Sequence, residues 1–252
     1  MIPHENHQWT YWLGRASPEV EYAFWAGGPA PALGMHFHPE SQLTTVHSGC
    51  RAFQVGSVIL RVEAGQCLHI PAGMPHRSLA AEPEGAQCLN LYAALPDAGC
   101  GPTVYSLREL GLSEGEADPL ALLRGVGERL QAGGRLPGHA SDDLWLGDIG
   151  VSSMTVGKIA VRHGLSREGF SRRFTRLIGM SPHAYRLMHR LNAARRDLRS
   201  ETSVADIAAK YGFADQSHLG RHFRRVFDAT PRAYGENMRA VTNVPDVVTA
   251  TG

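Results

Sequence analysis

Ser203–Tyr234 reads SVADIAAKYGFADQSHLGRHFRRVFDATPRAY: a helix, a tight corner, and a second helix rich in Arg and His. Ser203 is placed to cap the first helix through its side-chain oxygen, and Val204, Ile207, Ala208 and Tyr211 then share one helical face. Gly212 ends that helix, because glycine takes a positive φ without strain. Phe213 fills the corner, Asp215 caps the next helix, and Leu219, Phe223, Val226 and Phe227 form its apolar stripe. Gln216, Ser217, Gly220, Arg221, Arg224 and Arg225 are left on other faces. A short helix, a glycine corner and a polar, basic second helix are what a helix-turn-helix needs to enter a major groove.

The same layout occurs upstream. Thr155 caps a helix with Val156, Ile159 and Ala160 inward, and Gly164-Leu165 makes the corner. Ser166 caps a second helix over 167–177, where Phe170, Phe174 and Leu177 face inward, and Gly179 lies past its end. Between the two units Ser181 caps, and Pro182 opens, one long helix running to about Arg199. Some 18 residues at 1.5 Å each span roughly 27 Å. A spacer of that size holds two reading helices near one DNA turn apart, about 34 Å.

These residues resemble the C-terminal signature of AraC/XylS transcription regulators. The resemblance rests on Ile207-Ala208, the run Gly212 to Leu219, Arg221, Phe223-Arg224 and Thr230-Pro231, and upstream on Ser166, Phe174, Gly179, Ser181-Pro182 and Tyr185. It implies base-edge contacts from Glu168, Ser171 and Arg172 in the first unit, and from Gln216, Ser217, Gly220 and Arg221 in the second. Arg binds guanine O6 and N7 bidentately, so Arg172 and Arg221 are the expected specificity residues, while Gly220 offers no side chain. Glu168 either accepts from cytosine or complements the helix N-terminus. Arg173, Arg176, Arg224, Arg225 and Lys158 are expected on phosphates or in solvent. Arg190 and Arg195 match the family pattern in the spacer helix and are expected to brace the units rather than to touch bases. His218 falls on a position that is usually structural.

The whole chain, 252 residues, carries a net charge of only +1. That balance hides an asymmetry. Residues 1–150 hold 8 Lys+Arg against 16 Asp+Glu, whereas 151–240 hold 17 against 7. A basic half joined to an acidic half suggests that one half meets a polyanion. No apolar run is long enough to cross a membrane, and the first residues lack the pattern of a secretory signal, so a cytoplasmic protein is expected. Cys50, Cys67, Cys88 and Cys100 form no CxxC pair, which favours free thiols.

From about Tyr11 to Ala94 the chain alternates in short runs, Val20–Trp25, Gln42–Val46, Ala52–Val55, Ser57–Val62, Cys67–Ile70 and Ala86–Tyr92, broken by Gly and Pro. That pattern reads as a β-sandwich or small barrel. Within it, His36-Phe37-His38-Pro39-Glu40-Ser41-Gln42 and the stretch Gly65 to His76 resemble the two motifs of the cupin barrel, a double-sheet jelly roll. In metal-bearing cupins the ligands sit at positions matching His36, His38, Gln42 and His76. Here a neutral Gln42 stands where the family has Glu, and Ala80 stands where it has a late Asn. Three readings stay open: an effector pocket lined by His36, His38, Glu40, Gln42 and His76, a divalent-metal site on His36, His38 and His76, or a plugged barrel without a ligand. A metal-dependent cupin enzyme is a fourth, disfavoured because the ligand set is incomplete and the basic half has no role in it.

Residues 103–131 show mixed helical periodicity, broken at Gly111 and Asp118-Pro119. They are expected either to cover the barrel or to form a homodimer contact, and 133–138 (GGRLPG) reads as a linker. The first helix of the DNA-binding half should lie within 139–153, weakened by Gly147 and Gly150. The fold expected is therefore α+β and multidomain: a cupin-like sensor barrel over 1–102, a helical segment over 103–138, an all-α double helix-turn-helix domain over 139–240 and a tail over 241–252. The expected partners are double-stranded promoter DNA, a small-molecule effector and RNA polymerase. The expected role is a transcription regulator, with a metal- or redox-responsive variant as the alternative.

Overall fold

The structure is a computed structural model that describes residues 9–15, 17–80, 85–97, 99–113, 118–133, 146–150, 154–200 and 202–240. Strands come first: β1 (Thr10–Leu13), β2 (Glu21–Trp25), β3 (Ser41–Val55), β4 (Val58–Glu63), β5 (Gln66–Ile70), β6 (His76–Ser78), β7 (Ala86–Ala93) and β8 (Thr103–Ser106). After a 3₁₀ turn at Arg108–Leu110 come α1 (Pro119–Ala132), α2 (Val156–Arg162), α3 (Arg167–Ile178), α4 (Pro182–Asp197), α5 (Val204–Lys210), α6 (Gln216–Phe227) and α7 (Pro231–Arg239). A further helical stretch covers 146–150.

The barrel is built around β3. Its first half sits in a sheet ordered β1-β2-β7-β3-β5-β8, and its second half pairs with β4 and β6, all antiparallel. The register shifts between Val46 and Ser48, where an extra residue kinks the strand from one sheet into the other. Gly49 follows at φ +72°, and a Cβ there would lie 2.2 Å from the Gly85 carbonyl oxygen. The sequence suggested two strands parted at Ser48-Gly49; the structure has one 15-residue strand, because a bulge absorbs the irregularity without ending the ladder. The result is the double-sheet arrangement expected of a cupin.

One face of the sheets points into the barrel, with Trp9, Tyr11, Trp25, Phe53, Val55, Leu68, Ile70 and Tyr92. The other face of the large sheet carries Trp12, Tyr22, Leu43 and Leu89, and Leu122, Val126 and Leu130 of α1 cover it. Each such side chain contributes roughly 1.5–3 kcal/mol when fully buried, which holds α1 on the barrel. One expectation is corrected here. Thr103–Ser106 was assigned to the helical segment, but it is a strand pairing with β5, so the sheet runs past residue 102. Its short Thr-Val-Tyr-Ser alternation was masked by the leucines that follow. The linker over 134–138 and the tail over 241–252 lie outside the described residues.

The C-terminal half follows its caps. Thr155 accepts from the Lys158 N–H, Ser166 from Gly169, Ser181 from Ala184, Ser203 from Asp206 and Asp215 from His218. Each cap satisfies an amide that the helix itself leaves unpaired. The corners at Gly164 and Gly212 both have φ +68°. The duplication extends to ion pairs: Asp148 takes Arg162 and His163 at the end of α2, as Asp197 takes Lys210 and the Tyr211 hydroxyl around the end of α5. Leu177 departs from expectation. By helical spacing it shares the Phe170–Phe174 stripe, yet in the last turn of α3 it is 46% exposed.

Candidate nucleic-acid interface and barrel pocket

Packing fixes which faces of α3 and α6 remain available. Phe170 and Phe174 anchor α3, and Leu219, Phe223, Val226 and Phe227 anchor α6, all buried. Glu168, Arg172, Arg173, Gln216, Ser217, Arg221, Arg224 and Arg225 are exposed, and Ser171 is half-buried. At Gly220 a Cβ would meet nothing within 4 Å, so that position leaves open space on the same helix. His218 accepts the Ala214 N–H through Nδ1 at 3.2 Å and stands edge-on to Phe213, the structural role expected of it. Its Nε2 lies 3.0 Å from that of His222, whose pKa is lowered by burial and then by the neighbouring cations.

The spacer helix α4 spans 16 residues, or about 24 Å. Arg190 donates to the carbonyls of Tyr211 and Gly212 and lies 4.5 Å over the Phe213 ring, so it braces the second unit. Arg195, one helical face further on, does something the sequence did not reveal. It is 2% exposed and projects into the barrel. There it donates to the Glu21 carboxylate and, at 3.1 Å, to His38 Nδ1. Glu21 is 1% exposed and also accepts from Arg199 at 2.6 Å and from the Tyr234 hydroxyl at 2.8 Å. Asn192 adds a bond to the Phe37 carbonyl at 2.9 Å, and Tyr11 donates to the Phe227 carbonyl at 2.8 Å. Buried charge is costly unless paired and hydrogen-bonded, and here the pairing is supplied from both halves of the chain.

The pocket residues fall next to this junction. His36, His38 and His76 are buried, and a ligating atom of each lies within 4.8 Å of the others. Gln42 Oε1 is 3.1 Å from His76 Nε2. A polar chain continues from Gln42 to Thr44, Asn90 and Tyr92. Glu40 does not join them: its carboxylate is 30% exposed and sits 4.0 Å from Arg195, because Pro39 breaks the strand alternation that would have turned it inward. Burial holds the three histidines below their usual pKa, His76 at about 4, so they are neutral at pH 7.

Their hydrogen bonds test whether a metal fits. His36 Nδ1 lies 2.7 Å from the Gly34 carbonyl, which fixes its proton there and leaves Nε2 as a lone pair. His76 faces carbonyl oxygens on both sides, Met74 at Nδ1 and Gln42 at Nε2. A neutral imidazole can donate to only one of them, so a lone pair opposes an oxygen unless the Gln42 amide turns or a cation lies between. His38 is different. Its Nδ1 lone pair is used by Arg195, which places its own proton on Nε2. Two histidines and Gln42 therefore suit a divalent ion as arranged, and His38 can join only when Arg195 withdraws. Two of the cysteines offer little: burial pushes the Cys67 and Cys88 thiols up to about 12, far from the thiolate that redox chemistry needs.

Comparison with known proteins agrees with this geometry. A helix-turn-helix domain model matches residues 159–237, and a cupin domain model matches residues 22–92. Over 98 residues the chain is 35% identical to the HTH-type transcriptional activator RhaS of Klebsiella pneumoniae strain 342, covering 38% of this chain and 35% of that protein. RhaS of Citrobacter koseri is 38% identical over 89 residues, 35% of this chain and 32% of that protein. The matches thus span about a third of the length of these curated relatives. In structure the chain resembles ToxT of Vibrio cholerae strain SCE256 in its unsaturated fatty acid-bound form, with TM-score 0.57, 11% identity and coverage of 96% of this chain and 100% of that one. An apo ToxT variant gives 0.54 at 11% identity, covering 87% and 98%. The chain thus joins a cupin domain to a helix-turn-helix domain. The chain resembles the AraC/XylS family in its helix-turn-helix half and the cupins in its N-terminal half.

Proposed function

We propose that this protein is a sequence-specific DNA-binding transcription regulator whose hold on promoter DNA responds to a small molecule in the barrel. The observation that carries the reading is α4. It spaces two exposed, basic helices, α3 and α6, and it also inserts Arg195 beside the barrel histidines. Arg172 and Arg221 read bases, with Glu168, Ser171, Gln216 and Ser217 beside them, while Arg173, Arg224 and Arg225 take phosphates. A ligand that repositions His38 or Glu21 changes how α4 is held, and so shifts the population able to place both helices on one face of the duplex. The protein then works in the cytoplasm, where promoter DNA and RNA polymerase are found. The test is affinity for a selected promoter fragment against random duplex at fixed salt. The reading predicts at least a thousandfold preference, and equal affinities would sink it.

A second reading is favoured by one observation, the conflict at His76. A divalent cation bound by His36, His76 and Gln42 removes it and competes with Arg195 for His38, which makes the regulator metal-responsive. The cation would supply charge at that point and no chemistry. Titration of Zn²⁺ into chelator-treated protein discriminates: one ion per chain, lost in His36→Ala, supports it, and no binding removes it.

A further inference from the structure

A second polar group lies inside the barrel, away from the histidines. Arg51, on β3, shares the inward face of Phe53 and Val55 and is fully buried. Four residues separate it from Val55, which pairs with His76, so the two groups stand roughly 13 Å apart along the strand. Its Nη atoms donate to the Ser78 hydroxyl and, at 3.4 Å, to the Ala30 carbonyl, and its Nε has no partner. Among the described residues no carboxylate pairs with it, in contrast to buried Arg195. Its surroundings are aromatic: Trp9 at 6.0 Å and Phe53 at 5.7 Å, with the Trp25 ring tilted by 49° and centred 5.8 Å from that of Trp9. The Trp9 indole Nε1–H is also buried and unpartnered.

A buried guanidinium with no counter-charge among the described residues is a costly feature, and an unmet N–H beside it adds to the cost. Two such donors and one positive charge in an aromatic enclosure are the complement of a carboxylate on an apolar body. We propose that Arg51 and Trp9 anchor the carboxylate of a small organic acid with an aromatic or aliphatic body, held between Trp9, Trp25 and Phe53. The proposal rests on the reading of the barrel as the effector domain and names the class of effector. It also supplies a route outward. The Trp9 backbone amide lies near enough to the Asp228 carboxylate to lower its pKa, against burial that raises it, and Asp228 closes α6 in a left-handed conformation, φ 50°. Tyr11, two residues on, holds the Phe227 carbonyl. The wall of the carboxylate site is thus tied to the end of the second DNA-facing helix.

The test uses full-length protein and two matched pairs of probes, benzoate with benzamide and hexanoate with hexanamide. Thermal unfolding and tryptophan fluorescence report binding, and DNA affinity is read separately. At least one acid should raise Tm by about 5 °C at a hundredfold excess over its Kd, with its neutral amide at least tenfold weaker. Arg51→Lys should retain the preference for the acid and Arg51→Met should abolish it. Trp9→Phe, which keeps the ring and removes the N–H, should weaken acid binding about tenfold. Should Arg51→Met fail to fold, Arg51→Lys and Trp9→Phe carry the result alone. Amides binding as well as acids, no acid binding at all, or acid binding undiminished in Trp9→Phe and Arg51→Met would each overturn the proposal. Acid binding that leaves DNA affinity unchanged supports the site and counts instead against the regulatory reading.

Discussion

Replacing Arg195 by Met removes the cation that two halves of the chain share. Glu21, 1% exposed, then keeps only Arg199 and the Tyr234 hydroxyl, and His38 loses its Nδ1 donor. Breaking a buried pair from one side costs about 3–5 kcal/mol, and because Arg199 remains, the lower end applies, about 3 kcal/mol. For a chain of this size that lowers Tm by about 6–12 °C. Removing both charges together, in Glu21→Gln with Arg195→Met, leaves only the partly exposed Arg199 without its carboxylate and should recover part of the loss, since apolar replacement of a buried pair is close to neutral. The assay is thermal and urea unfolding of wild type, both single variants and the double, read as a cycle. A coupling of about 2 kcal/mol or more is predicted. A single-variant cost below about 1 kcal/mol, or additive costs, would refute the claim that this cluster joins barrel and DNA-binding domain.

Other outcomes follow from the same structure. Arg172→Ala and Arg221→Ala should each cost about 1–3 kcal/mol on a selected site and relax preference at one base, whereas Arg224→Ala should weaken all sequences alike and reduce the salt slope by about 0.9; binding isotherms across a salt series distinguish them. The barrel histidines have folded pKa values below the ordinary 6.5, so the unfolded chain binds more protons than the folded one at mildly acid pH. Metal-free protein should therefore keep full stability above about pH 6.5 and lose it as pH falls toward 4, with His76→Gln flattening the slope in urea unfolding at stepped pH. Asp215→Ala removes the cap of α6 and should cost about 1 kcal/mol of stability, measured by urea unfolding.

The helix-turn-helix half was legible because its signals are local. A cap residue, a glycine corner and an apolar stripe each act within a few positions, and every cap assigned to the two units and the spacer helix is observed. What the sequence hid is tertiary. β1 and β6 are three or four residues long and too short to show a period. Arg195 looked like a brace between helical units, and its partner Glu21 lies 174 residues away. Asp228 takes a positive φ without being glycine, so no residue type announced the end of α6. Arg51 did leave a trace. It shares parity with Phe53 and Val55 in an alternating strand, so a charge stood where the pattern asked for an apolar side chain.

The central claim is that α4 holds α3 and α6 on successive major-groove faces of one duplex. Selection from a library of randomised 30-base-pair duplexes at physiological salt tests it directly. The account predicts a bipartite site whose two halves lie about 10 base pairs apart, one half losing definition in Arg172→Ala and the other in Arg221→Ala. Enrichment of no sequence, or of a single half-site indifferent to one of these substitutions, would contradict it.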